Sequence, residues 1–145
     1  MRLLDLNLLL YAMDESTPLH RDARLVVEDA LSGSETVAFA WSVLIGFIRL
    51  STRPAVFAAP LTVDAALDVV AGWLARPQVV VVEPTSRHLA VLGELLRPLG
   101  TAGNLTSDAH LAALAVEHGA DLYSTDADFS RFSGVRWVHP LIRPG

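Results

Sequence analysis

The sequence predicts an α/β fold with a mostly parallel sheet and helices on both faces. Two observations lead there. Short apolar segments of strand length alternate along the chain with longer segments of helical periodicity, and cap residues separate them. One of the short segments, Val79–Val82, is a continuous β-branched run bounded by Pro77 and Pro84, the pattern of a strand buried on both faces. Taken in order, Arg2–Asp5 is short and apolar and runs into a polar Asp-Leu-Asn turn, which predicts a first strand, with a helix from Leu8. Thr17 as N-cap and Pro18 at the first helical position predict a helix to about Leu31, stopped by Ser32-Gly33-Ser34. Val37–Ala40 is a second strand, and Trp41 to about Leu50 a helix that ends before Arg53-Pro54. Thr62 caps the next helix, with Val63, Leu67, Val70 and Leu74 at helical spacing. After the valine run, Ser86 opens a helix with Leu89, Leu92 and Leu96 on one face, ending around Pro98-Leu99-Gly100. Leu105 to His118 forms a further helix, terminated by Gly119 as a left-handed cap. Asp121–Ser124 and Val135–Val138 complete the set as two short strands.

Composition narrows the chemistry. A chain of 145 residues is expected to form one domain spanning residues 1–145. With 52% hydrophobic residues and a mean hydropathy of +0.40, it has apolar surface to spare for a partner. All 11 basic residues are arginine, which excludes Schiff-base lysines and the lysine of a P-loop. The absence of cysteine excludes thiol nucleophiles, thiolate metal sites and disulfides. A net charge of −5 argues against a uniformly basic coat for nucleic acid, while leaving room for a local arginine patch. Charged residues break every apolar run well short of the ~18 residues of a membrane span. The opening Met1-Arg2-Leu3-Leu4-Asp5 reads as a buried strand with no signal-peptide cleavage site, so a cytoplasmic protein is expected.

In parallel α/β sheets ligands sit at the carboxyl ends of strands, near the point where strand order reverses. Four acids occupy such positions. Asp5 ends the first strand, Asp126 and Asp128 follow the Asp121–Ser124 strand, and Asp108 lies in the opening turn of the helix before it. If the first and fourth strands are neighbours, these acids converge. Clustered carboxylates raise one another's pKa, and a divalent cation removes the penalty. Oxygen ligands without cysteine or a paired histidine select Mg²⁺ or Mn²⁺ over Zn²⁺, and Mg²⁺ sites of this kind take phosphate esters. Two metals about 3.5–4 Å apart would stabilise both the attacking and the leaving oxygen. Each acid on its own reads equally as a turn or helix cap, so the functional reading depends on their joint placement.

At these residues the sequence resembles a known family. Leu3-Leu4-Asp5-Leu6-Asn7-Leu8-Leu9-Leu10-Tyr11-Ala12 looks like the opening motif of PIN-domain ribonucleases. Thr106-Ser107-Asp108-Ala109-His110-Leu111-Ala112-Ala113-Leu114-Ala115 resembles their central acidic helix, and Ser124-Thr125-Asp126-Ala127-Asp128-Phe129 their closing motif. The similarity spans essentially the whole chain and is greatest to VapC-type toxins of bacterial toxin–antitoxin pairs, in the branch carrying Trp41-Ser42-Val43-Leu44-Ile45-Gly46-Phe47-Ile48-Arg49-Leu50. The resemblance implies a three-layer α/β/α sandwich with a mostly parallel sheet. It also implies a Mg²⁺- or Mn²⁺-dependent endoribonuclease acting on a transfer or ribosomal RNA, neutralised by a cognate VapB-type antitoxin. By position, Asp5 and Asp108 would be the principal metal ligands, Asp126 a further ligand or water-positioning acid, and Asp128 an outer member. Asn7 and Thr125 would orient water or ligands. One departure stands out: many members carry a glutamate in the helix after the second strand, near Gly46 here, and this segment has none. Glu35, before that strand, is a poor replacement; the alternatives are one tightly held metal with a second recruited only with RNA, compensation by Asp128, or weak activity.

Outside the acids, Arg49 and Arg53 lie four apart and are candidates for holding RNA phosphate, with solvated charge as the plainer reading. Arg21, Arg24 and Arg87 are weaker candidates. His110, beside the acidic position, reads as a surface histidine before a phosphate contact, and His118 is too far along the helix to share a metal with it. Trp41, Trp73 and Trp137 read as core or dimer packing before base stacking. Leu8, Leu9, Leu25, Val26, Leu44, Ile45, Phe47 and Ile48 exceed the needs of a small core and predict a groove for an antitoxin helix or a homodimer face. Two other functions compete. A haloacid-dehalogenase-type phosphatase would use Asp5 as nucleophile, but it requires a second acid where Asn7 stands, and normally a lysine. The other is a non-catalytic PIN-like module that binds RNA or protein, for which the missing glutamate is the best support.

Overall fold

The computed structural model describes residues 1–142. Five strands, β1 (Arg2–Leu4), β2 (Val37–Phe39), β3 (Val79–Val81), β4 (Asp121–Tyr123) and β5 (Trp137–Val138), form one sheet in the order β3-β2-β1-β4-β5. Every pairing is parallel. The chain builds outward from β1 through β2 to β3, then returns to the other side of β1 to add β4 and β5. Strand order therefore reverses between β1 and β4, where the register pairs Leu3 with Leu122 and Leu4 with Tyr123. Leu3, Leu4, Val37, Ala38, Phe39 and Leu122 are fully buried, as central parallel strands covered by helices on both faces require.

Six α-helices complete a three-layer α/β/α architecture: α1 (Leu6–Met13), α2 (His20–Ser32), α3 (Trp41–Ser51), α4 (Val63–Leu74), α5 (His88–Leu96) and α6 (Thr106–His118). α1 packs against α2 and α3, α3 against α4, and α5 against α6. A Cβ on Gly46 of α3 would stand 2.8 Å from Leu6 Cδ2, so the missing side chain is what lets α1 and α3 approach. α6 is buried at Ala109 and from Leu111 to Ala115, and Gly119 (φ 66°) reverses the chain into β4. Because α6 returns antiparallel to the strands, its first turn lies at their carboxyl ends. Among the described residues no helix is long and apolar enough to cross a membrane.

Several sequence expectations shift by a residue or a face. α1 starts at Leu6 rather than Leu8 because Asp5 leaves β1 and becomes the N-cap, accepting from Leu6 N at 2.7 Å. α2 starts at His20; Thr17 and Pro18 belong to a turn in which the Thr17 carbonyl accepts from His20 N at 3.1 Å. Thr62 caps α4 as expected, accepting from Ala65 N at 3.1 Å. The core face of α4 is nevertheless Ala66, Val70 and Trp73, and Val63 (61%) and Leu67 (47%) are exposed. Trp73 sets that rotation by stacking on Phe39 (5.6 Å between ring centroids) and tilting against Phe47 (4.7 Å). In α5, Val91 and Leu95 face the core while Leu89 is 81% exposed. The valine run is an edge strand with Val80 exposed, since an apolar run reports helices packed over it and not the presence of a flanking strand.

Trp73 is 8% exposed and Trp41 is 47% exposed. Trp73→Ala is expected to cost about 3–5 kcal/mol in denaturant unfolding and Trp41→Ala less than ~0.5 kcal/mol. Equal costs would contradict the core assignment.

Candidate active site

Asp5 and Ser124 are the first residues beyond β1 and β4, and continuing the register places them side by side. Asp5 N donates to the Tyr123 carbonyl at 3.0 Å, and Ser124 Oγ donates to Asp5 Oδ2 at 2.6 Å. Ser124 Oγ also accepts from Asp126 N at 3.0 Å. The Ser124 backbone is held in turn by β5: its N donates to the Val138 carbonyl at 3.1 Å, and its carbonyl accepts from Trp137 Nε1 at 3.0 Å. Ser124 is wholly buried. Sequence reasoning passed over it in favour of its neighbour Thr125. The usable signal was its register position, one step past the strand and opposite Asp5.

Asp126 caps a 3₁₀ turn, Ala127–Arg131, by accepting from Asp128 N at 2.9 Å. That turn carries Asp128 back toward the start of α6. One carboxylate oxygen each from Asp108, Asp126 and Asp128 lies within 4.8 Å of the others. Asp5 stands outside this triplet, yet its charge acts on Asp108 and that of Asp126 acts on it. The geometry thus groups Asp128 more tightly with Asp108 and Asp126 than its expected outer place suggested.

The electrostatics follow from the crowding. Burial pushes the Asp5 carboxyl above the ordinary carboxylate range, against the hydrogen bonds from Ser124 and Leu6 N, and Asp126 adds to the rise. Asp108 is pushed up to about 6, first by burial and then by Asp126, Asp5 and Asp128. Among the described residues no arginine or histidine forms an ion pair with any of the four acids. Among the described residues, the fold gathers negative charge here with no cation paired to it. A donor set made only of carboxylate oxygens fits a hard divalent cation.

A groove of about 630 Å³ opens at this edge, lined by Asp5 and Asp108 together with Ser42, Arg49 and His110. Arg49, exposed on α3, faces the groove, while Arg53 lies in the turn beyond α3 and is not part of the lining. Asn7 and Thr125 are half-buried next to the groove-forming residues and donate no hydrogen bond to the acids among the described residues. The residues of Gly46 and Ser42 line the groove where the helix after β2 passes it, without an acid. Glu35 is at the far end of the sheet, paired with Arg2 Nε at 2.9 Å and with the N-terminal amine. It therefore takes no part in the cluster. His118 Nε2 lies 2.7 Å from the Glu83 carbonyl and Arg24 pairs with Glu28, so neither serves the groove. His110 does serve it, and burial followed by the neighbouring His88 pushes its imidazole down, toward the neutral form. Of the apolar surplus, Leu8, Leu9, Leu44 and Phe47 are core, whereas Leu25 (56%) and Ile45 (60%) are exposed.

Comparison with known proteins places this arrangement. A family model described as PIN domain matches residues 2–135. The chain is 48% identical over 140 residues to Ribonuclease VapC37 of Mycobacterium tuberculosis, covering 97% of each. Its fold matches that of VapBC2 from Rickettsia felis, solved bound to a promoter DNA fragment, with a TM-score of 0.68 at 18% identity over 94% of this chain and 96% of that one. It likewise matches Mycobacterium tuberculosis VapC20, described as a sarcin–ricin loop cleaving toxin, with a TM-score of 0.66 at 19% identity over 99% and 100% of the two chains. With the family model spanning nearly its whole length and a VapC ribonuclease at such identity, the chain belongs to the PIN-domain family, in its VapC ribonuclease branch.

Proposed function

We propose that the protein is a Mg²⁺-dependent endoribonuclease toxin of a toxin–antitoxin pair, with Mn²⁺ as an alternative ion, that cuts a structured transfer or ribosomal RNA. The observation that carries this reading is the convergence of Asp108, Asp126 and Asp128 within 4.8 Å, beside Asp5, at the switch point of the sheet. The named activity of VapC37, and the ribosomal target named for VapC20, support the choice of RNA and of the translation machinery.

Asp5, Asp108 and Asp126 would hold the ion, with Asp128 completing the set. Bound there, the cation would neutralise charge growing on the phosphodiester and activate water for in-line attack. The protein contributes placement. Ser124 holds the Asp5 carboxylate in one rotamer and the Asp126 backbone against it, and the Asp126 cap fixes the turn that presents Asp128. Arg49, which lines the groove together with Asp108, is placed to grip a phosphate of the strand. The VapBC neighbours support a cognate VapB-type antitoxin as partner, and exposed Trp41, Ile45 and Leu25 supply apolar surface for it or for a homodimer. Such a target and partner would support a cytoplasmic location. The rival reading is a non-catalytic PIN-like module that binds RNA or protein, since α3 lines the groove without an acid.

Brief expression followed by mapping of new 5′ ends in total RNA should reveal a discrete cut. The cut should disappear with EDTA and with Asp108→Asn, which keeps the volume of the side chain. Undiminished cleavage by the variant would reject the site, and no cleavage by the wild type with retained RNA binding would favour the rival.

Asp108 also gives a pH-dependent signature. Its folded pKa lies above the unfolded one, so the fold binds the extra proton, and stability falls as pH rises through about 6. Because the group is partly exposed, solvent screening reduces the penalty at neutral pH to about 1 kcal/mol. Metal-free Asp108→Asn should therefore melt a few degrees above the wild type at pH 7.5, with the difference vanishing near pH 4. Mg²⁺ should stabilise the wild type more than the variant, and its affinity should weaken as pH drops through about 6. A variant less stable than the wild type without metal would refute the account of crowded charge.

Ser124→Ala removes the donor to Asp5 and the acceptor for Asp126 N. It should cost about 1–3 kcal/mol in unfolding and lower cleavage about tenfold or more while Mg²⁺ still binds. Full activity would show that the acids are positioned without it.

A further inference from the structure

A second chain of hydrogen bonds reaches the groove from the α5–α6 side. The side chain of Glu117, in the last turn of α6, is covered by its neighbours in a residue that is half-buried overall. Its Oε1 accepts from Thr85 N at 2.9 Å and from Thr85 Oγ at 2.6 Å, and its Oε2 accepts from His88 Nδ1 at 2.5 Å. These donors hold the carboxyl below the ordinary range despite burial. His88 Nε2 in turn lies 2.9 Å from His110 Nδ1. His110 lines the groove beside Asp108, and its Nε2 meets no hydrogen-bonding partner among the described residues. A purely structural Glu117 would account for the two Thr85 bonds, but not for a chain that leaves its other oxygen and ends at the groove wall.

Donor and acceptor accounting fixes the first link. An ionised carboxylate can only accept, so His88 carries a proton on Nδ1. His88 Nε2 and His110 Nδ1 share the next hydrogen bond, which holds the His110 ring and leaves its Nε2 for a ligand. We propose that Glu117 and His88 hold His110 so that its Nε2 makes a hydrogen bond with a ribose 2′-hydroxyl of the RNA strand in the groove. A phosphate oxygen can only accept and would pair with Nε2 only when that atom carries a proton. The 2′-hydroxyl both donates and accepts, so it pairs with either form of the ring, and it is the backbone group that RNA has and DNA lacks. This deepens the ribonuclease reading and rests on it: His110 touches the strand, and His88 and Glu117 are positioning residues that act through it.

The test uses the full chain with EDTA, which keeps strands intact, and a fluorescent dodecamer of oligouridylate beside its all-deoxy counterpart, read by anisotropy at low salt. The wild type should bind the ribo strand about three- to tenfold more tightly, the worth of one neutral hydrogen bond. His110→Ala should bind the two strands alike, and His110→Gln, which keeps an acceptor, should retain part of the preference. Glu117→Gln and His88→Phe should lose most of it. Should those buried replacements unfold, the two variants at half-exposed His110 decide the matter. Equal binding of both strands by the wild type, or an undiminished preference in His110→Ala, overturns the proposal. Either result would do so even in a protein that cleaves RNA, so the two readings fail separately.

Discussion

Asp5 and Ser124 are 119 residues apart in sequence and share a hydrogen bond of 2.6 Å, because β1 and β4 pair in parallel with Leu4 opposite Tyr123. A slip of one residue in that register would turn the strand residues to the opposite face and separate the two side chains. The buried Leu3, Leu4 and Leu122 make such a slip costly. Everything at the acidic edge inherits its position from this pairing. Asp126 takes its backbone bond from the same serine, Asp128 takes its place from the Asp126 cap, and Trp137 of the next strand ties the serine carbonyl down.

The second constraint is the return of α6. A parallel crossover must carry the chain back along the length of the sheet before the next strand begins, so the helix preceding β4 starts where β1 ends. Asp108 therefore meets acids it is remote from in sequence, with burial and three like charges raising its pKa to about 6. A fold selected for stability alone would place a cation or an apolar residue there. The packing instead preserves the conflict, buries one member of the cluster and keeps the edge open to a groove with Arg49 on its wall. That is a site arranged to be completed by something that binds.

Around this edge the molecule separates rigid support from exposed surface. Trp73 between Phe39 and Phe47 anchors α4 against the β2 side of the sheet, and the close contact of Gly46 with Leu6 seats α3 on α1 beneath the groove. The histidine chain from Glu117 gives α5 and α6 a polar link that ends at the same groove. Acids at the sheet edge, an arginine from α3 and an imidazole from α6 thus line one groove from three elements.

Much of this was legible in the residues. Alternating strand and helix segments, the Thr62 and Gly119 caps and the position of each aspartate beside a strand end determined the parallel α/β class and the candidate acids, because these signals are local and act over a few residues. What the sequence left open depends on distant neighbours. The valine run reads the same in the centre of a sheet as at its edge, and only the strand order made it an edge. The face of α4 was settled by where Trp73 found aromatic partners, and Leu89 of α5 turned out to solvent although its spacing matched the core pattern. Ser124, a small hydroxyl with no pattern of its own, became the hub of the acids solely through register. Glu117, His88 and His110 became a chain only when α5 packed on α6. Local chemistry specifies which groups a segment offers, whereas long-range pairing and packing decide which of those groups meet.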